Sequence, residues 1–186
     1  DGFRVDAAAP ARQPRVGTRT PVLSDDGADL AAALQTIIEV GHDDLARAVA
    51  DAFDGATISV TDNDGLFELQ LRQRGMLRAL KPAELSDGTL RFMLWGAALF
   101  SPRPPSLMVL NEPETSLHPD LIPPLAAMIC AAAANTQVVV VTHSGGMQER
   151  LAAADALTVE LIKEWGETRV AGQTMLTAPP WDWGKR

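Results

Sequence analysis

Several ordinary features are scarce in this sequence, and each scarcity excludes something. There is one cysteine, Cys130, set in an apolar run with no partner thiol, so an intrachain disulfide framework and a multi-cysteine metal site are both ruled out. No segment approaches the roughly 18 consecutive apolar residues of a membrane span, and the N-terminus lacks the basic-then-apolar pattern of an export signal. The chain is therefore expected to be soluble, unexported and cytoplasmic, with no membrane partner. Positive charge is short as well: the formal net charge of -8 creates no field that would draw in nucleic acid. Only a local basic patch from another segment would supply one. The first residue is Asp1 rather than methionine, which reads as a piece of a longer product or a processed chain.

What is present suffices for one domain with a substantial core: 186 residues, 46% of them hydrophobic. Residues 1–24 mix alanine, proline and arginine without periodicity and read as an extended or poorly ordered lead-in, where no chemistry is placed. Residues 25–81 read as a helical pair and a β-meander. Leu30, Leu34, Ile37 and Ile38 share one helical face, ended by Gly41, and Leu45, Val49 and Phe53 share a second. Strands at Thr57 to Thr61 and Leu66 to Arg72 flank Asp62, Asn63, Asp64 and Gly65, strong hairpin chemistry, and Met76 to Leu80 is expected to add a third strand.

From Pro82 the rhythm becomes helix, buried strand, helix, buried strand, the signature of a parallel α/β layer over residues 82–178. Helices are expected over Thr89 to Phe100, Pro119 to Ala134 and Gly146 to Ala154. Buried strands are expected over Leu107 to Leu110 and Gln137 to Thr142, where four consecutive valines suit a strand covered on both faces. A terminal hairpin turning at Gly166 follows, and residues 179–186 read as a tail.

Three constellations in this half carry chemistry. Leu85, Ser86, Asp87, Gly88 and Thr89 precede an apolar helix, offering a hydroxyl, free backbone N–H groups and a positive dipole end to an anionic phosphate. The bland alternative is that Ser86 or Asp87 merely caps the helix. Second, the apolar strand Leu107 to Leu110 runs into Asn111, Glu112, Pro113 and Glu114, and an acidic residue at the carboxyl end of a buried parallel strand suits water or magnesium chemistry. Glu112 is the candidate for polarising a water, Glu114 reads as a solvated loop residue, and an ordinary strand exit is the alternative. Third, Val138 to Val141 ends in Thr142, His143 and Ser144. A histidine there suits hydrogen bonding to a phosphate oxygen, although a lone histidine is usually structural. The intervals between Ser86, Glu112 and His143 each hold about one helix plus loops, as a βαβ layer requires.

These motifs, in this order, resemble the ABC-type ATPase superfamily, and more closely the SMC and RecF-like group of AAA-type ATPases. The likeness covers about Pro82 to Ser144, and more loosely extends from Leu30 and through the terminal hairpin. The resemblance implies an α/β fold, the C-terminal lobe of a P-loop NTPase of the ABC/SMC-like head type, with a parallel β-sheet flanked by helices plus an N-terminal helical and β-hairpin region. It implies that Ser86, Asp87, Gly88 and Thr89 form the signature that contacts nucleotide held by an opposite subunit, so that a homodimer closes through ATP. It makes Leu107 to Asn111 the Walker B strand, Glu112 the catalytic glutamate, and Thr115, Ser116, Leu117 and His118 the D-loop. His143 becomes the switch histidine, paired with Glu112 in catalysis.

Two departures accompany it. Asn111 stands where most relatives carry the Walker B aspartate, so contact with magnesium is expected to be indirect, through water. No G-x-x-x-x-G-K-[ST] loop occurs, the only Gly-Lys pair being Gly184 and Lys185, followed by Arg186. ATP and Mg2+ are accordingly expected to need an N-terminal Walker A lobe, cut off or on another chain, and this segment alone is expected to be inactive. The implied activity is ATP binding and hydrolysis. The alternative is a non-catalytic nucleotide-dependent switch or interaction module controlling a partner in DNA repair or defence, with nucleic acid suggested by analogy alone.

Overall fold

A computed structural model describes residues 3–41 and 43–172. Its elements in chain order are β1 (Arg15–Val16), α1 (Leu30–Glu39), α2 (Asp43–Ala52), β2 (Thr57–Asn63), β3 (Leu66–Arg72), α3 (Asp87–Leu99), β4 (Leu107–Asn111), α4 (Ile122–Ala132), β5 (Gln137–Val141), α5 (Gly145–Ala153), β6 (Leu161–Glu164) and β7 (Glu167–Val170). Short 3-10 turns at Pro10–Arg12, Pro82–Glu84 and Pro119–Leu121 each begin with a proline, whose fixed φ suits a first turn and whose missing N–H is not needed there. The tail expected at 179–186 lies outside the described residues.

The core is built around α3 and α4. In α3, Leu90, Phe92, Met93, Leu94, Trp95, Ala97 and Leu99 are all buried, so the helix is covered on every side rather than on one stripe. Helix α4 buries Leu125, Ala126, Met128, Ile129 and Ala132 and packs against α2, α3 and α5. Burial of this kind, worth about 25 cal/mol per Å² of apolar surface, is the main favourable term in holding the layer together.

Strands β2 and β3 form an antiparallel hairpin in which Asn63 pairs with Leu66 across a two-residue turn. Asp64 (φ 55°) and Gly65 (φ 84°) both take positive φ there, the geometry that twists the turn to match its strands. The third strand of this sheet is not the expected Met76 to Leu80, which is reduced to one bridge between Leu71 and Leu80; it is β1, paired with β3 through Arg15–Phe67 and Val16–Leu66. The lead-in is correspondingly not poorly ordered: Val5, Ala9, Ala11 and Arg12 are buried, and Phe3 packs edge-on against Trp95 with ring centroids 5.1 Å apart. Alanines dispersed among prolines give no periodic signal, yet they fit shallow gaps against a finished core.

Strands β4 and β5 pair in parallel, in register from Leu107–Gln137 to Asn111–Val141, and helices flank the pair. Met108, Leu110, Val138 and Val140 turn to the core. The opposite face is open, contrary to the expectation of a strand covered on both sides: Leu107 is 48% and Val109 63% exposed, with Val139 and Val141 beside them. The terminal hairpin forms as β6 and β7 around Trp165 and Gly166. No described helix is long and apolar enough to cross a membrane.

Candidate functional site

Parallel pairing brings the ends of β4 and β5 side by side. The ladder continues one residue beyond β4, where the Glu112 N–H donates to Val141 O at 2.7 Å. The Glu112 carboxylate therefore leaves the sheet next to His143, with Nε2 3.4 Å from Oε1. Thr115 Oγ1 donates to the other oxygen, Oε2, at 3.3 Å. Glu112 takes φ 45°, a left-handed conformation that costs a non-glycine residue about 1–3 kcal/mol and tends to be retained where a site requires it. Asn111 is the last residue of β4, opposite Val141 and exposed.

Beneath this pair lies a contact that sequence reasoning misplaced. Glu114, expected to be a solvated loop residue, is half-buried: Thr142 Oγ1 donates to its Oε1, and its Oε2 is buried without a hydrogen-bond partner among the described residues. Thr142 Oγ1 also accepts the Ser144 N–H at 2.9 Å, and Ser144 caps α5 by accepting from the Met147 N–H. The threonine thus holds the turn that displays His143, whose own side chain is largely exposed. Two polar residues on two strand exits can be read from sequence, but their contact requires the register.

The Ser86 turn stands at the N-terminus of α3. Ser86 is exposed and acts as the N-cap, accepting from the Thr89 N–H at 3.1 Å, with the two hydroxyls 2.9 Å apart. The capping alternative is thus what Ser86 does here; the dipole end and the exposed turn remain available to an anion as well. Gly88 brings this turn against the segment Thr115 to His118: a Cβ on Gly88 would lie 3.1 Å from Ser116 O and 3.8 Å from Leu117 Cα. Ser116 itself takes φ 65°. His118 caps the 3-10 turn before α4, Nδ1 accepting from the Asp120 N–H at 3.3 Å. From inside the core, Trp95 Nε1 donates to Pro113 O at 2.9 Å and fixes the loop between Glu112 and Glu114. Every residue singled out from sequence thus lies on one connected stretch running from the α3 N-terminus to the β5 tip.

Two arginines hold the approach to Ser86. Arg78 grips Glu84 with Nη1 to Oε2 at 2.8 Å and Nη2 to Oε1 at 2.6 Å, and the Lys81 N–H adds a third bond at 3.0 Å. These bonds, that to Arg78 first, hold the Glu84 carboxyl down at about 2. Arg12, buried at 6% exposure, reaches the same turn from the other side and meets Asp87 at 2.6 Å. The Arg12 contact has no sequence signal, since it depends on where the unpatterned lead-in comes to rest.

The donor set at the strand tips comprises one amide and one carboxylate beside a histidine, and no cluster of three or more His, Cys, Asp or Glu side chains suited to a metal occurs among the described residues. That set fits contact with the water shell of a magnesium ion rather than direct enclosure of one.

The parallel sheet with its flanking helices gives the chain the fold of an SMC-like P-loop NTPase head. Residues 1–145 match the family described as "AAA domain, putative AbiEii toxin, Type IV TA system", and the chain belongs to that family. The match begins in the lead-in and ends just past His143, so it reaches farther toward the N-terminus than the motifs do and leaves out the terminal hairpin. Among solved structures, the fold is similar to one from work on ATP-driven dimerization and DNA-stimulated activation of SMC ATPases, with TM-score 0.59 and 13% identity over 77% of this chain and 89% of that one. It is also similar to the SMC head domain from Thermotoga maritima (TM-score 0.54, 17% identity, 80% of this chain and 56% of that one). A third likeness is to the Smc head with a coiled coil and joint from Pyrococcus yayanosii (TM-score 0.55, 16% identity, 75% of this chain and 28% of that one). The chain thus spans most of the first structure and about half or less of the other two. No curated protein matches it.

Proposed function

We propose that this chain forms the signature and Walker B side of a dimerising ATPase, in which Glu112 orients the attacking water and His143 contacts the phosphate being transferred. The observation that carries this reading is the approach of the Glu112 carboxylate and the His143 imidazole, 3.4 Å apart on adjacent parallel strand tips. A carboxylate there can accept a proton from water while the imidazole donates to a phosphate oxygen, and phosphoryl transfer needs little beyond such positioning and charge stabilisation. Asn111 would meet magnesium through a bound water. Ser86 and Thr89 would offer hydroxyls, and Gly88 an N–H group, at the α3 N-terminus to the nucleotide of a second copy, Asp87 sitting beside them. The D-loop residues Thr115, Ser116, Leu117 and His118 connect the two. Bound ATP supplies the phosphoryl group, and Mg2+ neutralises charge on its oxygens.

The phosphate-binding loop would come from a separate lobe. The open face of β4 and β5, with Leu107, Val109, Val139 and Val141 exposed side by side, is the apolar surface such a lobe would cover.

In the full-length protein, Glu112→Gln is expected to keep the fold and nucleotide binding, lower phosphate release by roughly 10²- to 10⁴-fold, and accumulate an ATP-bound dimer on size-exclusion chromatography. Equal hydrolysis rates in parent and variant would sink the assignment. A second reading, favoured by Asn111, is a switch that binds nucleotide without turning it over. Dimerisation of the parent with ATP but no phosphate release would select it.

A further inference from the structure

The structure assigns Arg12 as a positioning residue for the Ser86 turn: through Asp87 it sets both the geometry and the charge of the α3 N-terminus. The inference rests on the reading of that terminus as a phosphate-contacting surface and names a residue that the motifs do not include.

The guanidinium of Arg12 is saturated. Nε donates to Asp6 O at 2.9 Å and Val5 O at 3.2 Å, Nη1 to Pro82 O at 2.8 Å and Leu85 O at 2.7 Å, and Nη2 to Val5 O at 2.8 Å and Asp87 Oδ1 at 2.6 Å. The planar fork thus ties two lead-in carbonyls to the carbonyls of the first residue of the 3-10 turn before Ser86 and of the residue just after it, and ends on the first residue of α3. A lysine has neither the fork nor enough donors to do this. The arrangement solves an electrostatic problem. Asp87 stabilises the helix dipole, but it is 59% exposed beside the N–H groups that an incoming phosphate would use, and an unpaired carboxylate there repels that phosphate. The buried cation of Arg12 offsets the charge from below while leaving Ser86 exposed. Arg12 touches no nucleotide in this scheme; it acts through Asp87.

A charge cycle in the full-length protein separates this role from simple packing. Parent, Arg12→Gln, Asp87→Asn and the double variant are compared for the ATP concentration at half-maximal dimerisation, by analytical ultracentrifugation, with melting temperatures recorded alongside. Arg12→Gln is expected to raise that concentration about ten-fold, within the usual range of coupling between sites. Asp87→Asn, which keeps an oxygen for Nη2 and removes only charge, is expected to lower it. The double variant is expected to return close to the parent in dimerisation while melting as low as Arg12→Gln, because the lost carbonyl bonds are not replaced. Recovery in one readout without the other is a result that a purely structural arginine does not produce.

The inference is overturned if Arg12→Gln dimerises at the parent's ATP concentration or if the double variant is no better than the single one. Should Arg12→Gln not fold, Asp87→Asn alone decides: dimerisation weakened several-fold would overturn the inference. A parent that does not dimerise with ATP at all would overturn the proposed function and this inference with it, whereas a responsive parent with an indifferent charge cycle would remove only the role of Arg12.

Discussion

Replacing Thr142 by valine tests the contact beneath the strand tips almost without changing shape. The hydroxyl donates to Glu114 Oε1 and accepts the Ser144 N–H, so its loss removes two hydrogen bonds at once. Glu114 Oε2 is already buried without a partner among the described residues, so the variant leaves both carboxyl oxygens unpaired in a half-buried position. An unsatisfied buried polar group costs about 1–3 kcal/mol, and relief of the Ser144 N–H by water is expected to keep the total near the middle of that range, roughly 2 kcal/mol. For a chain of this size that corresponds to a melting temperature lower by about 4–8 °C, read by circular dichroism or calorimetry. A second variant isolates the cause: Glu114→Leu combined with Thr142→Val removes both partners together, and is expected to melt above Thr142→Val alone because no carboxyl oxygen is left stranded. A Thr142→Val protein melting within a degree of the parent, or a double variant less stable than the single one, would refute the account of Glu114 as a buried residue held by Thr142.

Two further outcomes follow from the packing and from the Glu84 carboxyl. In Gly96→Ala the new Cβ would lie 2.8 Å from Leu45 Cδ1 and 3.8 Å from Met128 Sδ, so the buried Leu45 side chain must shift; a loss of about 1–3 kcal/mol from overpacking, less about 1 kcal/mol of helix propensity gained, is expected in urea unfolding. Glu84 has a folded-state carboxyl value lowered from 4.5 to about 2, so its contribution is fully present above its ordinary value and is lost as pH falls from there toward 2. Glu84→Gln is therefore expected to be less stable than the parent at pH 7, with the gap closing below about pH 4.5; a gap constant from pH 7 to pH 3 would contradict the pairing with Arg78.

The α/β layer was legible because its signals are local. Buried strands ending in polar residues, helices between them and a capped N-terminus at Ser86 all declare themselves within a few neighbours, and the parallel pairing of β4 with β5 follows from the intervening helix. What escaped depends on long-range placement. Arg12 sits among alanines and prolines with no period, and its partners at Pro82, Leu85 and Asp87 lie some 70 residues away. Met76 to Leu80 has the composition of a strand, but only Leu80 bridges to β3, opposite Leu71, while β1 pairs farther along at Leu66 and Phe67. The run Val138 to Val141 suggested cover on both faces because valine content reports β-propensity and burial together; here two of the four valines face outward. Glu114 reads as solvated for a related reason, since a glutamate in a loop is usually exposed and only the neighbouring strand's exit reveals its partner, Thr142.

The contacts also determine how variants of the motifs must be interpreted. Gly88 packs on Ser116, whose neighbour Thr115 donates to Glu112; Trp95, two helical turns along α3 from Gly88, holds Pro113 between Glu112 and Glu114; and Glu114 accepts from Thr142, which holds the turn carrying His143. A side chain added at Gly88 would have to displace the backbone of the loop that sets the Glu112 carboxylate, so a fall in activity there could not be assigned to a lost phosphate contact alone. The same holds in reverse for residues 115–118: Ser116, already at positive φ, holds its carbonyl where a Cβ on Gly88 would lie only 3.1 Å away, so a shift of that loop toward α3 meets the backbone at Gly88. Residues that act through shared backbone are not additive, and separating their roles requires pairs of substitutions that remove a charge or a hydroxyl while leaving that backbone in place.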